Sequence, residues 1–244
     1  MGKLRINYYH LIAYMLFFAV FKPYFLPSGL RQVLKIGILI GVFLFLVTKS
    51  SIKKLINCSL IFCTCILLSS LIAKVNGNYP FKSLFDSVLY ALTFYDLYTF
   101  TALCKREGYF DALIKCLYKI NLLYCVFNSI SIFIVGVENN SNSAVYLFGN
   151  KFTSMYLFIL LITLYASSCD MRRKRNRAVL LGLFAFSIFL SLYLGCATAS
   201  VTLSVLLILC FVPNRIQQRL VNERVVVIIL TLSALIIIWI EIIL

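Results

Sequence analysis

Acidic residues are scarce in this sequence, with 8 Asp+Glu against 23 Lys+Arg, and it has a single histidine, His10. One histidine cannot build the multi-histidine sites that most transition metals favour. The nine cysteines contain no Cys-x-x-Cys pair, so the zinc spacings are missing as well, and the thiols read as small packing residues. No metal and no cofactor is expected. Charge of both signs reaches only 13%, where a soluble domain has about 25%. Also missing are a Walker loop, a Gly-x-Ser-x-Gly elbow, a zinc-binding helix and a stripe of arginines at voltage-sensor spacing.

What fills the space is apolar: 62% of the 244 residues, with a mean hydropathy of +0.99. That excludes a water-soluble globular fold and predicts an all-α polytopic integral membrane protein. The formal charge of +15 does not point to nucleic acid, because the basic residues are scattered between apolar runs and form no basic face.

At about 20 residues per crossing, the runs predict nine transmembrane helices near 7–26, 33–48, 55–73, 83–103, 112–136, 152–169, 178–195, 197–212 and 225–244. They make one transmembrane helical domain over 1–244. The boundaries carry turn residues: Pro27-Ser28-Gly29, the stretch from Asn76 to Pro80, the run from Asn139 to Ser143, and Pro213-Asn214. The first run lacks a small-x-small cleavage site and meets Lys22-Pro23 directly, so it is expected to stay as a helix. The seventh and eighth spans nearly touch at Gly195-Cys196-Ala197, which predicts a tight hairpin.

Basic residues alternate by side. Fifteen of the 23 fall on the side of the N-terminus, five of them between Arg172 and Arg177. Only Lys22, Arg31, Lys74, Lys82 and Lys151 fall on the other side. The positive-inside rule therefore puts the N-terminus in the cytoplasm and, with nine spans, the C-terminus outside.

Charges inside the spans are costly unless paired or hydrated. Asp96 and Lys119 sit at matching depths in neighbouring spans, roughly 10–12 Å from the cytoplasmic ends, and are expected to form a structural intramembrane pair. Lys82 and Asp86, four residues apart, are expected to form an ion pair at the outer end of the fourth span. Asn121, Cys125, Asn128 and Ser131 recur at three and four residues along the fifth span, a polar seam of the kind that holds helices together.

From Tyr146 the chain reads Tyr-Leu-Phe-Gly-Asn-Lys-Phe-Thr-Ser-Met-Tyr, then a span, a basic loop, another span and Leu-Gly-Cys-Ala-Thr-Ala-Ser up to Ser200. This resembles the Wzy-type oligosaccharide repeat-unit polymerases of the O-antigen and capsule polymerase and ligase superfamily, in which a Gly-Asn-Lys element opens an outer-face helix. Lys105-Arg106-Glu107-Gly108 before a helix also fits. The resemblance is spread over about 30–212 and is most specific over 146–200. It implies transfer of a growing glycan between undecaprenyl diphosphate carriers at the outer face of the bacterial cytoplasmic membrane, a multi-pass location, without nucleotide sugar or metal. The partners it implies are the undecaprenyl-diphosphate-linked glycan, membrane lipid, and the flippase and chain-length regulator of the same pathway.

Within that resemblance Lys151 is the candidate for the diphosphate, since a cation must meet the charge that develops on the leaving group. Asn150 either orients the phosphate or caps the helix. Arg31, Lys74 and Lys82 are further outward cations, and Thr198 is a weaker candidate whose more ordinary role is an interhelical hydrogen bond. Asp86 and Glu138 are the outward acids available as a base; the catalytic group itself is not identified. Relatives run on for several more spans and carry a larger outward loop, whereas this chain ends at Trp239-Ile-Glu-Ile-Ile-Leu244. A shortened copy with weak or no activity is therefore expected. The alternative is a lipid-linked oligosaccharide flippase or other secondary transporter, against which stands the lack of an internal repeat.

Overall fold

The structure, a computed structural model, describes residues 8–49, 58–75, 81–135, 146–171 and 173–211. Among them the regular structure is helical: α1 (Tyr8–Val20), α2 (Ser28–Lys49), α3 (Cys58–Val75), α4 (Phe81–Arg106), α5 (Phe110–Val135), α6 (Lys151–Ser168), α7 (Lys174–Tyr193) and α8 (Ala197–Phe211). Four of these, α2, α5, α6 and α7, are long and apolar enough to cross a membrane. The described helices are accordingly compatible with a helical membrane protein. The ninth expected span, 225–244, lies outside the described residues.

Three expected boundaries are corrected, two of them at one break. The first helix stops at Val20 rather than 26, and α2 starts at Ser28 rather than 33. Pro23 and Pro27 explain both shifts. Each disfavours helical backbone in the residue before it, so the apolar stretch Phe21–Leu26 cannot continue α1. After Pro27 nothing opposes helix, and the Arg31 amide already donates to the Pro27 carbonyl at 3.0 Å. At α7 the helix opens at Lys174, earlier than 178. The Asn176 and Arg177 side chains donate to the carbonyls of Asp170 and Met171, at 2.8 and 2.6 Å, and tie the preceding turn to it.

The residues fall into two compact units, divided between Lys35 and Ile36 inside α2 and between Glu107 and Gly108. In the first, α6 packs against α5, α7 and α8, and α1 packs against α5. Met155, Leu157, Phe158, Leu161 and Ile162 of α6 are buried at its centre. In the second, α3 packs against α4, and the Cys63 thiol donates to the Ala91 carbonyl at 3.1 Å.

Helix α5 is inverted relative to a helix of a soluble protein. Asn121, Cys125 and Asn128 are buried, while Leu123, Val126, Phe127, Ile130 and Phe133 are about half exposed. Water would reverse that arrangement; a lipid surround favours it, because polar groups find partners only inside the bundle. Asn121 does so, donating from Nδ2 to the Leu157 carbonyl of α6 at 3.0 Å.

The turn of the α7–α8 hairpin is closed by backbone hydrogen bonds. Gly195 takes φ +60, its amide donates to Leu192 O at 3.1 Å, and the Cys196 amide donates to Ser191 O at 2.8 Å. These two bonds are the Schellman pattern, which needs a left-handed residue where Gly195 stands. Across the hairpin the Ser191 and Ser200 hydroxyls meet at 2.7 Å. The interhelical bond expected of Thr198 is thus made by that serine pair. Thr198 is exposed, and its hydroxyl lies 3.7 Å from the Cys196 sulfur within the turn.

Candidate functional site

Residues 146–151 form a fixed corner at the head of α6. The Tyr146 amide donates to Gly149 O at 2.8 Å and the Gly149 amide returns a bond to Tyr146 O at 3.2 Å. The turn between them is held from several directions. Its Leu147 amide donates to Ser131 Oγ of α5 at 3.0 Å, and its Leu147 carbonyl accepts the Tyr24 amide at 2.7 Å. Phe148 stacks on Tyr124, ring centroids 4.1 Å apart, and Tyr124 meets the edge of Phe17 from α1. Tyr146 and Phe148 are both buried.

Asn150 then caps α6. Its Oδ1 accepts the Thr153 amide and the Thr153 hydroxyl, both at 3.1 Å, and its carbonyl accepts the Ser154 amide. Of the two roles open to Asn150, capping is the one its side chain performs. Lys151 is the first helical residue, half-buried, with Nζ 5.6 Å from the centre of the Phe152 ring. The amides of Lys151 and Phe152 have no intrahelical acceptor by helix geometry. An ammonium, two free amides and the positive end of a helix dipole on one corner suit an anion. The cap gives a prediction. Asn150→Ala costs about 1 kcal/mol, a fall of about 2–4 °C in thermal midpoint, whereas Asn150→Asp keeps the cap and the stability. Thermal unfolding in detergent checks both.

Arg31 reaches the same corner. Its guanidinium lies over the Tyr24 ring at 4.0 Å, and Tyr24 is the residue bonded to Leu147. The guanidinium Nε is buried without a hydrogen-bond acceptor. Sequence reasoning ranked Arg31 as a cation but missed Tyr24, the residue that brings it in. An aromatic residue next to Pro23 was the available signal.

Thr198 and Lys119 apart, the other expected residues lie in the second unit or outside the described residues. Lys74, half-buried, and Asp86, half-buried, belong to the second unit. The side chain of Lys82, and with it the expected Lys82–Asp86 pair, lies outside the described residues, as does Glu138. Asp96 and Lys119 belong to different units. Asp96 is 0% exposed, with neither carboxylate oxygen hydrogen-bonded, and Lys119 is exposed.

Compared with protein-family models, with curated proteins and with solved structures, the chain finds no match in any of the three.

Proposed function

We propose that this chain polymerises undecaprenyl-diphosphate-linked oligosaccharide repeat units into capsular or exopolysaccharide at the outer face of the bacterial cytoplasmic membrane, through nine spans with the N-terminus inside. The observation that carries the reading is the corner itself: a Gly-Asn-Lys element that opens a helix, with Lys151 at its first position and Asn150 as its cap. In the reaction an acceptor sugar hydroxyl attacks the anomeric carbon of the growing glycan. The bond to the carrier breaks, and the lipid diphosphate leaves with the bonding electrons. Lys151, the α6 amides and Arg31 take up the charge on that leaving group.

A transporter of the same lipid-linked units is the second reading, favoured by Asp96. A fully buried carboxyl group that makes no hydrogen bond among the described residues is a feature of ion- and proton-coupled membrane proteins.

Complementation separates the two. The chain is expressed in a capsule-producing host that lacks its own repeat-unit polymerase, and the glycan is resolved on a gel. A ladder, however faint, supports the polymerase reading. Single lipid-linked units accumulating on the outer leaflet overturn the polymerase reading. Rescue of a flippase deletion, with units released from the inner leaflet, favours the transporter.

A further inference from the structure

Helical serine and threonine hydroxyls in this protein repeatedly donate to the carbonyl of the preceding turn. Thr64, Ser129, Thr163, Ser167 and Ser204 all do so, at 2.8–2.9 Å. Ser154 does not. It is 0% exposed, its Oγ has no hydrogen-bond partner among the described residues, and it sits in the first turn of α6, a helix packed on α5. On α5, Asn128 is also 0% exposed and, among the described residues, makes no hydrogen bond through either amide atom, and the Oδ1 of Asn121 is equally without a donor there.

Their heights along the interface follow from one bond. Asn121 is tied to Leu157, so the antiparallel register sets Ser154, three residues back along α6, about 4.5 Å above it. Asn128, seven residues along α5 and on the same stripe, stands about 10 Å above Asn121, level with the head of α6. The polar levels are thus separated by roughly 4.5–6 Å, the span of two hydrogen bonds of about 2.8 Å through one shared oxygen. The groups offer donors and acceptors in a neutral set, which suits neither a metal cation nor a phosphate. Above Asn128 the Ser131 hydroxyl is already taken by the Leu147 amide.

We propose that the α5–α6 interface binds water, one or two ordered molecules that bridge Asn121 Oδ1, Ser154 Oγ and the Asn128 amide beneath the Tyr146–Gly149 turn. Buried polar groups of this kind are ordinarily satisfied by such waters, and a lipid surround supplies no other partner. The site is independent of the polymerase reading.

The test is brief X-ray hydroxyl-radical labelling of the full chain in lipid nanodiscs, read by mass spectrometry. Cys125 and Met155, 3% and 0% exposed, border the site and serve as reporters; Cys104, also 0% exposed, is the dry control. Oxidation of Cys125 and Met155 well above Cys104 is expected, because bound water generates the radical beside them. Oxidation no faster than that of Cys104 overturns the proposal. Thermal unfolding is the second measurement. Asn128→Leu is expected to lower the midpoint by about 2–4 °C, and Ser154→Ala added to it costs little more, because both changes release the same water. A rise in midpoint for Asn128→Leu marks a dry, unpartnered amide and overturns the proposal as well.

Discussion

Lys151→Ala is expected to weaken the binding of a long-chain lipid diphosphate to the purified protein by about tenfold to a hundredfold. A charge-assisted hydrogen bond to an anion contributes about 1.5–3 kcal/mol, and each 1.4 kcal/mol is about tenfold in affinity. Lys151 is half-buried at the first position of α6, so its charge is screened less than that of a fully exposed lysine. Lys151→Arg keeps the charge and is expected to retain most of the affinity. Lys115→Ala removes an exposed lysine from α5 and is expected to change nothing. Asn150→Asp makes a sharper probe, because it preserves the cap while placing a negative charge beside the bound diphosphate. It is expected to lose affinity without losing stability. Equal affinity for Lys151→Ala and the parent chain, measured on vesicles or nanodiscs doped with the lipid, removes Lys151 from the site.

Gly149→Ala is expected to be the most damaging single change at the corner, at about 3–5 kcal/mol. Gly149 has φ +123, a region that glycine alone occupies readily, which costs another residue about 1–3 kcal/mol. An added Cβ would also stand 3.1 Å from Thr153 Cβ and 3.2 Å from its hydroxyl, the group that bonds Asn150. Overpacking of that kind adds about 1–3 kcal/mol. Gly195→Ala is the matched comparison, since Gly195 is also at positive φ, +60, but has nothing within 4 Å of the added carbon. Its cost is expected to stay near 1–2 kcal/mol, the ordinary left-handed penalty. Thermal unfolding of both variants checks the order; equal losses would show that Thr153 yields at no cost.

Most helices were legible because apolar runs are long and their ends carry turn residues. The predicted spans from 55 to 212 correspond one by one to α3 through α8, with ends shifted by a few residues. The misplaced ends lie around Phe21–Leu26, where the residues are apolar enough for a span but two prolines forbid the backbone. Hydropathy weighs side chains and does not register that. The seam on α5 was legible because its spacing is helical, and one of its residues, Asn121, does bond α6. The role of Tyr24 was not, since its partner Leu147 is more than a hundred residues away and the bond runs through backbone atoms that every residue has. Ser154 was equally hidden. A serine in the first turn of a helix ordinarily satisfies itself locally, and only its packed surroundings show that it does not.

The α7–α8 hairpin bears on how the chain enters a bilayer. Three residues, Leu194 to Cys196, separate the two helices, and their amides all donate back to α7 carbonyls. A linker this short ties the end of α7 to the start of α8, so neither can move far from the other. The Ser191–Ser200 contact adds a second partner to hydroxyls that already reach the Ile188 and Cys196 carbonyls, so the paired helices expose no bare hydroxyl to hydrocarbon. Lengthening the linker with a flexible insert would uncouple the two insertions and make the fate of α8, 15 residues long, depend on its own apolarity.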